Sequence, residues 1–178
     1  MPVHSYFVFA AFLLVLMSLI LLFLRLRGTT GDFIGIPSID KLYFYSGKLA
    51  LVATWVLFLV KAINPRLGYI YIPVPLSWIA VVLLYIGALI FFVAMFNLGK
   101  SLAVGLPGRQ TKLQTRGLYR FSRNPIYIGA YLVTLGSCIY FPDLINTSFA
   151  IFGIYIHHRI IKEEEHFLPL RFGNDWLD

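Results

Sequence analysis

LSWIAVVLLYIGALIFFVAMFNL, residues 76–98, decides the fold. The stretch carries no charged side chain and opens after Pro73 and Pro75. An α-helix rises about 1.5 Å per residue, so this segment is long enough to cross a hydrocarbon core of ~30 Å. The rest of the chain agrees with it. Hydrophobic residues make up 59% of the sequence and charged ones 13%, against about a quarter charged in a soluble domain. An ordinary soluble domain and a disordered chain are both excluded. A lone cysteine, Cys138, rules out an internal disulfide scaffold. It also leaves no Cys/His cluster for zinc, so no metal is expected.

Four further spans surround this one. Tyr6–Leu24 is uncharged and closed by Arg25 and Arg27. It has no basic leader and no small-residue cleavage site, so it reads as a retained span and not as a signal peptide. Leu42–Ile63 is interrupted by Lys48 and Lys61. It is long enough if both lysines snorkel to opposite interfaces. The stretch between, from Gly28 to Phe44, mixes glycine, proline and apolar residues and suits the interface. The fourth span runs Pro125–Phe141. The fifth starts at Leu144, after a Phe-Pro-Asp turn, and continues through His157, His158 and Arg159 into Lys162-Glu163-Glu164-Glu165. Counted to Leu168 it rises roughly 37 Å and should project from the membrane. So short a turn makes the last two spans an antiparallel hairpin.

The expected fold is therefore all-α: one integral membrane domain over residues 1–178, a bundle of about five transmembrane helices. Residues 1–98 hold three spans. Residues 99–178 hold a polar loop, the hairpin and an acidic, helical, cytoplasmic extension. The net charge of +7 is explained by topology, and nucleic acid is not an expected partner. With the N-terminus outside and the C-terminus cytoplasmic, thirteen of the 15 lysines and arginines fall on the inner side, as the positive-inside rule asks.

Chemistry concentrates in residues 99–124 and in the glutamate run. The loop is basic, with no acid, yet it contains Leu113, Leu118, Tyr119 and Phe121. Contact with anionic headgroups needs only the charge; the apolar residues ask for more. Gly99-Lys100-Ser101 is not a phosphate loop, because position 94 is alanine and no strand precedes it. Adjacent His157 and His158 point about 100° apart on a helix and read as interfacial residues. Three glutamates on one turn oppose the dipole of a helix ending there. They suit the ammonium of a zwitterion whose carboxylate rests on basic or amide groups.

Leu113-Gln-Thr-Arg-Gly-Leu-Tyr119-Arg-Phe-Ser-Arg123-Asn-Pro-Ile-Tyr127-Ile-Gly129 resembles a signature of the isoprenylcysteine carboxyl methyltransferase and phospholipid N-methyltransferase superfamily. Glu164-Glu165-His-Phe-Leu168-Pro-Leu-Arg-Phe172-Gly173 resembles its ending. The resemblance covers residues 97 to 176. It implies a helical membrane methyltransferase using S-adenosylmethionine, with S-adenosylhomocysteine as product, and a lipid-like or prenylated acceptor arriving from the bilayer. The reaction the resemblance implies is carboxyl O-methylation or amine N-methylation. Leu113, Gln114 and Tyr119 would line the cofactor pocket. Asn124, Pro125, Ile126 and Tyr127 would hold its methionine and adenosine parts, and an acid would bind its amino group. Arg159, one turn before that acid, would orient the acceptor.

This chain departs from the pattern at three places. Asn124 stands where the family has histidine; it can donate a hydrogen bond but carries no charge. The acidic register is offset by one residue between two anchors. Phe172-Gly173 selects Glu164 and Glu165, whereas Arg159 selects Glu163 and Glu164. Pro169 is expected to disturb the later helix, which favours the Arg159 register. Trp176 stands where tyrosine is usual, and the tail is short, so the acceptor site is expected to be built differently. Two other classes fit parts of the pattern: an NADPH-dependent sterol-type membrane reductase, and an inactive scaffold or lipid-binding protein.

Overall fold

A computed structural model of the protein describes residues 1–26, 35–68, 70–103, 105–106 and 114–172. Among the described residues the chain forms five α-helices and no strand beyond one isolated bridge, Ile36 with Leu106. The helices are α1 (Val3–Leu26), α2 (Lys41–Ile63), α3 (Val74–Leu98), α4 (Pro125–Tyr140) and α5 (Leu144–Phe172). Three are long and apolar enough to cross a membrane, over Val3–Leu21, Lys41–Ile63 and Val74–Leu98. α4 is apolar but shorter, with 16 residues, a rise of about 24 Å. α5 has 29 residues, a rise of about 43 Å, more than a hydrocarbon core requires.

Local chemistry fixes where these helices begin. The Asp40 carboxylate accepts from the Leu42 N–H at 2.9 Å, capping α2. Residues 41–44 are therefore the first turn of a helix; residues 28–34 of that stretch fall outside the described residues. Pro125 takes the first position of α4, where its missing N–H costs nothing. Asp143 accepts from the Ile145 N–H at 2.9 Å and starts α5. At the far end, the helix does not break at Pro169, as the sequence suggested, but continues to Phe172. A proline removes one donor and crowds the carbonyl four residues back. Three residues from a helix end, that loss stays local.

The helices alternate in direction. α4 packs chiefly on α3, and α5 chiefly on α2; α4 and α5 touch less, although only Phe141–Asp143 separate them. The hairpin is thus antiparallel but is held together through its neighbours. Small residues allow the close approaches, as expected where lipid offers no hydrophobic drive. Gly87 and Gly129 face one another across α3 and α4, and a Cβ on Gly129 would lie 2.5 Å from the Phe91 nitrogen. Gly47 meets Ile156, and Gly153 meets Leu51, between α2 and α5. Val8, Phe58, Ala80, Leu84, Val133 and Tyr140 form the largest core cluster.

Buried polar groups tie the helices together from mid-bundle to the end where α4 turns into α5. Ser137 donates to the Thr54 carbonyl at 2.7 Å, and Asn146 Nδ2 donates to the Phe141 carbonyl at 2.8 Å. Trp55 Nε1 donates to Thr134 Oγ1 at 3.0 Å. Lys61 is buried and donates to the carbonyls of Pro65 and Leu67. Lys48 is half-buried, its Nζ 4.5 Å from the Phe44 ring centroid.

Candidate functional site

At the end of the bundle where α2 and α4 begin and α3 stops, α5 runs on and delivers its acids to the first turn of α4. Asn124 Nδ2 donates to Glu165 Oε1 at 2.8 Å. Tyr127 Oη donates to Glu164 Oε2 at 3.1 Å. Asn124, Tyr127 and Tyr131 share one face of α4 by spacing, and Gly153, His157, Ile160 and Glu164 share one face of α5. Phe44, Ile156 and Ile160 form an apolar floor, with Ile39 and Tyr127 against it. The acids lie inside α5, which continues to Phe172, and they face the N-terminus of α4, where negative charge is favoured.

Burial holds the Glu164 carboxyl above its ordinary value of 4.5; the Tyr127 hydrogen bond and the charge of Lys48 counter this only in part. The half-buried Tyr119 phenol is likewise pushed up by burial and then by the Glu164 charge. Tyr119 sits in a single 3-10 turn, Gly117–Arg120. Gly117 opens it with φ +66, and any Cβ there would collide with the Asn97 side chain at the end of α3. The turn is thereby pressed onto α3, and Tyr119 is brought within electrostatic reach of Glu164. Two carboxylates among phenol rings, partly withdrawn from water, make a site that stabilises a cation.

The structure sorts the residues expected from sequence. Asn124, Tyr127 and Glu164 converge, and Tyr119 stands beside them. Pro125 is buried at the helix start, and Gln114 is half-buried ahead of the 3-10 turn. Ile126 instead packs toward Met95 and Leu102 near the end of α3. Leu113 falls outside the described residues. Glu163 and Arg159 are exposed and are not part of the cluster. Of the three acids, Glu164 and Glu165 are the two that α4 engages. Glu163 and Glu165 lie about 100° to either side of Glu164 on the helix, and it is the Glu165 side that faces α4.

Two residues were missed. Lys48 comes from α2 and lies within electrostatic reach of both Glu164 and His157; no spacing in the sequence announces a contact made by α2 on α5. His157 is 5% exposed, its Nδ1 is 2.8 Å from the Gly153 carbonyl, and its ring stacks edge-on to Tyr127 at 5.7 Å. A signal existed here, since His157 lies seven residues before Glu164 and so on the same helix face.

Comparison with curated proteins and with solved structures gives no match. A family model for phospholipid methyltransferases matches residues 76–175. That stretch runs from α3 to the end of α5 and contains Tyr119, Asn124, Tyr127 and the paired carboxylates. With more than half of its length matched, this helical membrane protein belongs to the phospholipid methyltransferase family, a group of membrane methyltransferases.

Proposed function

We propose that the protein transfers a methyl group from S-adenosylmethionine to an amine on a lipid-like acceptor at the cytoplasmic end of the bundle. One observation carries this reading: Glu164 and Glu165, anchored by Tyr127 and Asn124, form a partly buried anionic pair beside phenol rings. Such a pair fits the cationic ammonium of the cofactor, and the aromatic faces fit its sulfonium. Bound there, the cofactor would supply an electrophilic methyl group. The chain's part is to hold the donor and acceptor in line and to exclude water. Glu164 and Glu165 would bind the ammonium, Tyr127 and Asn124 would orient the carboxylates, and Tyr119 would close the pocket from the 3-10 turn.

An amine acceptor is favoured over a carboxylate because Arg159, the cation that would orient a carboxylate, is exposed and outside the cluster. The asymmetry of lysine and arginine supports a cytoplasmic position for this end. The acceptor itself would enter from the bilayer, the natural partner of so apolar a surface.

Isothermal titration of the detergent-purified protein with S-adenosylhomocysteine, beside NADPH, tests the reading. Saturable one-to-one binding of the first alone is expected. Binding of NADPH alone would replace it with a reductase, and binding of neither to a folded protein would leave a scaffold.

A further inference from the structure

At the end of the bundle opposite the carboxylates lies a cavity of about 300 Å³, with Pro2, Lys61, Arg66, Ser77 and Tyr140 in its wall. That is the size at which small-ligand sites begin. The wall is assembled from the start of the chain, the end of α2 and the turn after it, the start of α3 and the end of α4. The Tyr140 hydroxyl holds these parts in place. It lies 2.8 Å from His4 Nδ1 and 3.1 Å from Ser5 Oγ, so it pins the first turn of α1 to the last turn of α4.

Charge is what this cavity leaves unbalanced. Lys61 is only 8% exposed. Its ammonium has three hydrogens, and the carbonyls of Pro65 and Leu67 take two of them. Those bonds fasten the turn after α2, but a carbonyl carries no net charge, so the cation keeps its charge and one hydrogen. The Phe141 ring, its centroid 5.8 Å from Nζ, adds only a quadrupole. Arg66 brings a second cation to the same cavity. Among the described acids only Asp143 lies at this end of the bundle. Its carboxylate accepts from the Ile145 N–H, and the residue lines a neighbouring cavity. No carboxylate among the described residues acts on Lys61. A buried cation in a membrane bundle is costly unless it is paired, and one without an acid marks a place where a ligand supplies the counter-charge.

We propose that this cavity binds a phosphate group, carried by an anionic phospholipid of the leaflet opposite the carboxylate site. The depth fits. Lys61 stands two residues before the end of α2, and Arg66 lies in the turn beyond it, where a span leaves the hydrocarbon and enters the headgroup layer. The charge fits as well. Two cations without a facing acid suit a headgroup of net negative charge, whereas a choline headgroup would bring its own cation against them. The donors fit a phosphate: the third Nζ hydrogen, the forked guanidinium of Arg66 and the Ser77 hydroxyl. Lys61 lies about 20 Å along α2 from Lys48 by helical rise, so this site is separate from the carboxylate pair and does not rest on the methyl-transfer reading. An occupant would bridge the ends of α2, α3 and α4 at the point where α1, the least buried of the three long spans, is fastened.

The test is isothermal titration of the full chain, purified in a neutral maltoside detergent. The titrants are dihexanoyl phosphatidylglycerol below its micelle concentration, dihexanoylglycerol, which lacks the phosphate, and inorganic phosphate. Saturable one-to-one binding of the phospholipid is expected, at least tenfold tighter than that of the phosphate-free lipid. Lys61→Gln and Arg66→Gln should each weaken it by about tenfold, the low end for a hydrogen bond between charged groups. Inorganic phosphate that binds as tightly, with the same dependence on both residues, would support the anion site with free phosphate as its ligand. Binding of neither phosphate compound overturns the proposal. So does equal affinity for the phosphate-free lipid, or an affinity unchanged in either variant. Should Lys61→Gln not fold, Arg66→Gln, at an exposed position, decides alone: a tenfold loss supports the site and parent-like affinity overturns it.

Discussion

Asn124 and Glu165, 41 positions apart in the chain, are joined by a 2.8 Å hydrogen bond from the Asn124 amide to the Glu165 carboxylate. This bond gives a use to the asparagine that stands where the related signature has histidine. An amide donates without carrying charge, so it can orient a carboxylate without neutralising it. Asn124→Ala should therefore free Glu165 and weaken S-adenosylhomocysteine binding by about tenfold, the scale of one hydrogen bond to a charged group discounted for partial exposure. Asn124→His should bind more tightly than the alanine variant. Titration calorimetry reads both, and equal affinities for parent and alanine variant would remove Asn124 from the site.

Glu164 links binding to pH. Its carboxyl sits above the ordinary 4.5 because burial disfavours the charge. Between that value and its raised one, the folded protein binds more proton than the unfolded chain, so stability without ligand declines as pH rises through this window. Cation binding needs the carboxylate, so affinity for S-adenosylhomocysteine should rise over the same window. Glu164→Gln should weaken binding at neutral pH by about tenfold or more and flatten both pH dependences. Glu163→Gln, at an exposed position, should change neither. Melting curves and titrations between pH 5 and 8 separate these outcomes.

Much of the fold is legible because its signals are local. Charge-free runs mark α1 and α3, Pro125 marks the start of α4, and Asp143 marks that of α5. The site is half legible. Tyr127 and Glu164 lie in quotable motifs, but whether Glu163 or Glu165 meets α4 depends on how α5 is rotated against it, which sequence spacing leaves open. Lys48 was illegible for a different reason. It reaches the site through α2 packing on α5, a contact between segments more than 100 residues apart in sequence.

The α3–α4 contact rests on glycine. A Cβ on Gly129 would lie 2.5 Å from the Phe91 nitrogen and 2.7 Å from the Gly87 oxygen, both backbone atoms that no rotamer change can move. Gly129→Ala should therefore destabilise the bundle by about 1–3 kcal/mol, the usual cost of overpacking a close-packed contact. It should also shift the first turn of α4 and with it Asn124. A lowered melting temperature together with weaker S-adenosylhomocysteine binding is expected; an unchanged melting temperature would mean the helices separate easily.

Asn146 separates folding from function. It is fully buried near the opposite end of the bundle, and its Nδ2 donates to the carbonyls of Phe141 and Ser137. Asn146→Ala leaves those carbonyls without that donor and opens a small cavity. Within a membrane bundle such hydrogen bonds average about 0.6 kcal/mol, and the lost side-chain volume adds to this, so a loss of about 1–2 kcal/mol is expected. Glu164 lies 18 residues farther along α5, about 27 Å by helical rise, and the carboxylate pair shares no hydrogen-bond partner with Asn146 among the described residues. Distant sites without shared partners behave additively. Asn146→Ala should thus lower the melting temperature in detergent while leaving the affinity for S-adenosylhomocysteine, measured well below that temperature, within about twofold of the parent. A parallel loss of affinity would mean that the two ends of the bundle are coupled, and that the melting temperature of any site variant reports on both.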